Sequence, residues 1–118
     1  MEINRGDIFY VDLGETKEET NIQTGIRPAL VLSNNMCNKF SPVIIVSPLT
    51  SKIKRKDLPV HIILTKDKEN GLEFNSTVLL EQILTVDREK VLRKIGSVCD
   101  EDIKNANKCL EISLGLIE

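Results

Sequence analysis

A cation at the start of one strand and a hydroxyl at the end of another are the side chains of this sequence that could do chemistry together. The cation is Arg27, in Gly25-Ile26-Arg27-Pro28-Ala29-Leu30-Val31. Pro28 fixes its own φ and pushes Arg27 out of the helical region. Residues 29–32 are then a short apolar run bounded by turn residues, the pattern of a strand covered on both faces. Arg27 thus stands where a polar loop becomes a core strand, fixed in place yet open to a ligand. The hydroxyls are Thr50 and Ser51, which follow the apolar run 43–46, and Lys52, Lys54, Arg55 and Lys56 come directly after them. Neither side chain is a general base, because Arg stays protonated and Thr is a poor acid. The set suits a reaction whose nucleophile belongs to the substrate. RNA is such a substrate, since its 2′-OH lies next to the phosphodiester. A protein need then only align that attack and stabilise the charge gathering at phosphorus. Paired guanidinium donors and one hydroxyl can do this, and no metal or cofactor is expected.

The elements that must position these groups follow from the apolar pattern. Residues 6–13 form a β-branched and aromatic run suited to a first strand. Residues 14–24 are polar and aperiodic, a long loop of the kind that serves as a lid or a binding loop. The strand carrying Arg27 ends near Ser33, a turn built on Asn34, Asn35 and Asn38 follows, and residues 43–46 are a second buried strand. Residues 58–64 and 76–80 read as further strands, separated by the Asn70-Gly71 turn signal. Residues 87–90 read as one helical turn, and 91–98 as the last strand. Asp100, Glu101 and Asp102 suit a helix N-terminus. Ile103, Ala106, Leu110, Leu114 and Ile117 then recur at helical spacing, so a C-terminal helix packs one face on the sheet. Short strands with a helix at the end predict a mainly β, α+β fold, a small antiparallel and partly closed barrel.

With 118 residues, 41% hydrophobic and 29% charged, the sequence predicts one soluble domain spanning 1–118. No apolar run approaches the roughly 18 residues of a membrane span, and no cleavable leader is read. Cys37, Cys99 and Cys109 are odd in number and lack Cys-x-x-Cys spacing, and His61 is the single histidine. That argues against zinc and for reduced thiols in the cytoplasm. The net charge of −2 opposes nucleic-acid binding, but its distribution does not. Residues 39–68 hold Lys39, Lys52, Lys54, Arg55, Lys56, Lys66 and Lys68 against only Asp57 and Asp67, a candidate phosphate-attracting face. Phosphate-binding glycine loops, nucleophile elbows and paired metal-binding histidines are absent, and Asp7 and Asp12 read as turn caps.

Five short motifs occur in order: Arg5-Gly6-Asp7-Ile8, Gly25-Ile26-Arg27-Pro28-Ala29-Leu30-Val31, Pro48-Leu49-Thr50, Leu58-Pro59-Val60-His61 and Val78-Leu79-Leu80-Glu81-Gln82. Together they resemble the MazF/PemK family of toxin ribonucleases, over residues 3 to 117. The resemblance implies an SH3-like barrel, a homodimer, metal-independent cleavage of single-stranded RNA at short motifs, and inhibition by a cognate antitoxin. It places the catalytic arginine on Arg27 and the catalytic threonine on Thr50. RNA contacts are expected from Glu81 and Gln82, from Gln23 and Thr24 on the loop, and from Ser51, Lys52, Lys54, Arg55 and Lys56. Gln82 is the better candidate for reading bases, since its amide both donates and accepts. One departure stands out. Many relatives carry Ser-Glu-Gln-Gly-Gly before the Arg-Pro motif, whereas this chain reads Asn21-Ile22-Gln23-Thr24-Gly25. The loop glutamate is replaced by Ile22, and Glu18 or Glu19 are the carboxylates left to reach in.

Two other readings share the barrel. A CcdB-like toxin that poisons gyrase relies on a tryptophan near its C-terminus, and this chain has none. A non-catalytic RNA-binding barrel stacks bases on aromatic side chains, of which three Phe and one Tyr are a small supply.

Overall fold

The computed structural model describes residues 1–16, 19–52 and 58–117. Seven antiparallel strands and two α-helices follow one another as β1 (Asp7–Asp12), β2 (Ile26–Val31), α1 (Asn35–Phe40), β3 (Val43–Thr50), β4 (His61–Leu64), β5 (Ser76–Leu79), β6 (Leu84–Asp87), β7 (Val91–Ser97) and α2 (Asp100–Ser113). A 3-10 turn, Arg88–Lys90, joins β6 to β7. The strand order is β4-β5-β3-β2-β1-β7, and β6 also pairs with β3.

The length of β3 shapes the molecule. Its first half pairs with β6, from Val43–Asp87 to Val46–Leu84. Its second half pairs with β5, at Leu49–Val78 and Thr50–Thr77. A single strand therefore serves two sheets and carries Thr50 across to the second. Register shifts between β1 and β7, at Ile8/Phe9 and Tyr10/Val11, add the local bend that bulges supply. The result is a curled, barrel-like sheet that remains open.

The expectation that the central strands are covered on both faces holds for Ala29–Val31 of β2, whereas Ile45 in the first half of β3 is 39% exposed. Phe9, Val11, Ala29, Val31, Ile44 and Val46 pack into one cluster with Val86 and Val91. The alternate residues Ile8, Leu30 and Leu49 join a second cluster with Leu64, Val78, Leu80 and, from α2, Ala106 and Cys109. The pleat sends neighbouring side chains to opposite faces; the curl of the sheet closes one face and α2 covers the other. Burial pushes the Cys109 thiol up, so it packs as a small neutral group.

Several expectations need correction. The Asn-rich turn is α1, a short helix whose N-cap Asn34 accepts from the Cys37 N–H at 2.8 Å. Asn38 is buried and its amide donates to the Ser33 carbonyl at 2.7 Å. Strand β6 had no sequence prediction, because four residues are too few to show a period. The C-terminal helix stops at Ser113, leaving Leu114 61% and Ile117 48% exposed rather than packed. Asp7 is more than a turn cap: it is buried, accepts from the Asn4 N–H and the Ser97 hydroxyl, and pairs with Lys94 at 3.4 Å. No helix among the described residues is long and apolar enough to cross a membrane.

Candidate active site

Arg27 is the second residue of β2, just above the neck of the loop. That neck continues the β1–β2 hairpin, since Leu13 N–H donates to Gly25 O at 2.9 Å and Gly25 N–H to Gly14 O at 2.7 Å. The guanidinium is half-buried and held by neutral oxygens. Its Nε donates to the Thr24 carbonyl at 2.8 Å, and an Nη1 proton goes to the Gln23 side-chain carbonyl. Among the described residues no carboxylate pairs with it. Of its five N–H donors, two make the described bonds, both to loop oxygens.

Gln23 is itself held from across the molecule. Its backbone N–H donates to Gln82 Oε1 at 2.8 Å, and Gln82 Nε2 donates to the Asn21 carbonyl at 2.9 Å. Both ends of the Gln82 amide are thus engaged on the loop. The contacts run from the turn after β5 through Gln82 and Gln23 to the Arg27 guanidinium. Gln82 therefore links the turn after β5 to the loop that holds Arg27. Thr24 also meets the Thr16 hydroxyl.

Thr50 ends β3, where its pairing with Thr77 fixes the backbone. It is buried at 7% exposure. Its Oγ1 accepts from the Lys52 N–H at 3.2 Å, which leaves the hydroxyl proton to donate elsewhere. Arg27 and Thr50 come together in one cleft of about 330 Å³, whose lining also includes Ser51 and Lys52. Tyr10, Pro28 and Leu49 line it from the central strands, and Leu72, Glu73, Phe74, Ser76 and Ile95 complete it.

The other expected contacts are distributed differently. Glu81 is taken by His61, with Nε2 and Oε2 2.6 Å apart. Ile22 is 65% exposed. Glu19 lines a separate shallow groove with Thr20 and Asn21, away from Arg27. Glu18, Lys54, Arg55 and Lys56 lie outside the described residues. Among the described residues of the basic stretch, Lys39 lies over the Phe40 ring and lines a groove with Glu2 and Arg88, apart from the cleft. Of the described lysines in the stretch only Lys52 lines the cleft. Sequence reasoning passed over Glu73 and Phe74. Their signal is an aromatic residue set among polar ones, in Glu73-Phe74-Asn75, directly after the Asn70-Gly71 turn.

Comparison with known proteins agrees with this fold. Residues 4–114 match the family described as the PemK-like, MazF-like toxin of type II toxin–antitoxin systems. The chain is 38% identical over 118 residues to endoribonuclease EndoA of Bacillus subtilis, covering 100% of this chain and 99% of that protein. It is 36% identical over 114 residues to endoribonuclease MazF of Staphylococcus saprophyticus, covering 97% and 92%. The fold resembles that of a mycobacterial endoribonuclease solved in complex with its cognate antitoxin, with TM-score 0.78, 22% identity and 98% of each chain covered. MazF from Deinococcus radiodurans gives a TM-score of 0.77 at 22% identity, again with 98% of each chain covered. With its length matched almost end to end and an arginine and a threonine meeting in one cleft, the chain belongs to the PemK-like, MazF-like family of toxins of type II toxin–antitoxin systems.

Proposed function

We propose that this chain, an endoribonuclease toxin, cleaves single-stranded RNA at short motifs by directing a ribose 2′-hydroxyl onto the neighbouring phosphorus. The observation that carries this reading is the state of Arg27: half-buried, aligned by Gln23 and Thr24, not neutralised by a described carboxylate, and opening on the cleft that holds Thr50. In the reaction the 2′-hydroxyl gives its proton to solvent as its oxygen attacks, charge builds on the non-bridging oxygens, and the bond to the 5′-oxygen breaks as that oxygen takes a proton from solvent. Arg27 stabilises that charge through paired donors, and the Thr50 hydroxyl holds one oxygen in line. Lys52 adds a positive field, and Lys54, Arg55 and Lys56 are proposed as phosphate contacts that carry no base information.

Because the nucleophile is internal, the products are a 2′,3′-cyclic phosphate and a free 5′-hydroxyl, and cleavage proceeds in EDTA. Incubating the purified protein with a long single-stranded RNA in EDTA, then mapping the 5′ ends and identifying the termini, tests the reaction. A substrate with 2′-deoxyribose at the cut position should bind and stay intact. Cleavage of that deoxy substrate, or a strict need for magnesium, makes water the nucleophile and removes this mechanism.

The same cleft suits neutralisation by an acidic segment of a cognate antitoxin, which would cover Arg27 and Lys52 and exclude RNA. The chain is proposed to act as one domain, in the cytoplasm, and as a homodimer. Of the apolar runs 43–46 and 78–80, the second offers no surface for the dimer, since Val78, Leu79 and Leu80 are all buried within the chain, whereas Ile45 in the first is 39% exposed. Met36 and Phe40, one turn apart on α1, are 69% and 70% exposed and add to it. Light scattering at micromolar concentration should report twice the chain mass, and Phe40→Asp should lower it. A monomer for the unaltered protein at that concentration removes the dimer.

A further inference from the structure

Part of the cleft's lining comes from the connection between β4 and β5, and this connection is fixed unusually firmly. Asn70 is 2% exposed. Its Oδ1 accepts from the Asp67 N–H at 3.0 Å and the Leu72 N–H at 3.1 Å, and its Nδ2 donates to the Thr65 carbonyl at 2.8 Å. Gly71 has φ +65°, and a Cβ there would come within 2.2 Å of the Ile95 carbonyl oxygen. On β7, a Cβ at Gly96 would come within 2.3 Å of the Glu69 carbonyl oxygen. The connection therefore lies backbone to backbone on β7. Beyond it, Lys66 N–H donates to Asn75 Oδ1, and the Ser76 hydroxyl to the Phe74 carbonyl, both at 2.9 Å.

On this rigid frame Leu72 is buried, yet Phe74 is 63% exposed. What sets this ring apart from other exposed apolar side chains is its place: it stands at the lining of the cleft that holds Arg27 and Thr50, on a connection fixed by the Asn70 hydrogen bonds and the close approach of Gly71 and Gly96 to the facing backbone. The cleft also carries both signs of charge. Arg27 and Lys52 attract phosphate, whereas Glu73, the residue before Phe74, repels it. That polarity puts the RNA backbone with Arg27 and leaves the neighbourhood of Phe74 for the uncharged part of a nucleotide.

We propose that Phe74 is a stacking platform for the nucleobase flanking the scissile phosphate, with Leu49, Leu72 and Ile95 as the apolar floor beneath it. The proposal rests on the RNA-cleaving reading above. Every base presents a π-face, and single-stranded RNA is bound by stacking its unpaired bases on aromatic rings. A platform already rigid in the free protein loses little entropy on binding. Stacking of this kind holds the substrate before and during the reaction alike, so it sets KM more than kcat.

The test uses a short single-stranded RNA carrying one mapped cleavage site, together with versions abasic at the nucleotide on either side of the cut. Phe74→Leu keeps an apolar side chain and removes the ring; it should raise KM by about 5- to 150-fold, the range of one base–aromatic stack. Phe74→Trp should keep KM near that of the unaltered protein. One of the two abasic RNAs should raise KM for the unaltered protein by a similar factor and add little for Phe74→Leu. Cleavage by Phe74→Leu with unchanged KM overturns the platform and leaves the RNA reading intact. So does a loss that stays fully additive with both abasic sites. A Phe74→Leu protein whose mass by light scattering has changed assigns the ring to an interface between copies instead. Absence of cleavage by the unaltered protein, by contrast, removes the RNA reading and the platform with it.

Discussion

Arg27→Ala should lower the rate of RNA cleavage by about 10³-fold or more while leaving the thermal unfolding midpoint nearly unchanged. The magnitude follows from the work assigned to the guanidinium. A cation that stabilises charge on a transferring phosphoryl group contributes about 10³- to 10⁵-fold where it has been removed. The stability expectation follows from its surroundings. Arg27 is half-buried, and its recorded hydrogen-bond partners are a loop carbonyl and the side chain of Gln23, both near enough to solvent for water to replace it. Arg27→Lys should recover only a small fraction, because an ammonium gives a point charge and no paired donors.

Gln82→Ala gives a related but smaller loss, up to about 100-fold, the scale produced by a misplacement of about 1 Å near the reacting atoms. It removes both contacts to the loop, at Gln23 N and Asn21 O, and so loosens the partner that aligns Arg27. The loss should appear in kcat, and the double variant Arg27→Ala/Gln82→Ala should be little worse than Arg27→Ala alone. A Gln82→Ala protein that cuts at an unchanged rate but at different motifs would return Gln82 to reading bases.

The strands that matter to the site were legible because their side chains are constrained twice. Residues 29–32 and 43–46 are apolar without alternation, and the structure shows why: Ala29 and Val31 enter one cluster while Leu30 enters the other. Arg27 and Thr50 were legible from local grammar, a proline fixing one strand entry and a hydroxyl pair closing the other strand. What was not legible depends on contacts distant in sequence. Gln23 and Gln82 are 59 residues apart, and no local pattern announces their bond. The helix α1 escaped because its stability comes from an Asn34 cap and the buried amide of Asn38 rather than from a periodic apolar face. Phe74 falls between the strands read from the sequence and was passed over; its place on the cleft lining appears only once Gly71 and Gly96 are seen to press the preceding connection onto β7. The loop glutamate replaced by Ile22 has no described carboxylate in its place beside Arg27, where the neutral Gln23 carbonyl now lies.

Thr50→Val should abolish most cleavage, by about 10²- to 10³-fold, the cost of removing one preorganised donor to a developing oxyanion. Valine is the informative replacement because Thr50 is buried at the end of β3. A β-branched side chain of the same shape keeps both the packing and the strand preference, so the loss can be assigned to the hydroxyl. Its oxygen accepts from the Lys52 N–H at 3.2 Å, and the proposed role has its proton donated to a phosphate oxygen in the cleft. Thr50→Ser restores the O–H and removes one methyl group; it should recover most of the activity at a stability cost of about 1 kcal/mol. Sulfur substitution at the scissile phosphate then tests the contact itself. Sulfur is a poorer acceptor than oxygen, so one of the two phosphorothioate diastereomers should be cut slowly by the unaltered protein. Thr50→Val has no hydroxyl to lose, and its residual rate should differ less between the two diastereomers. An unaltered diastereomer preference in Thr50→Val, or full activity in that variant, would show that Thr50 holds no phosphate oxygen.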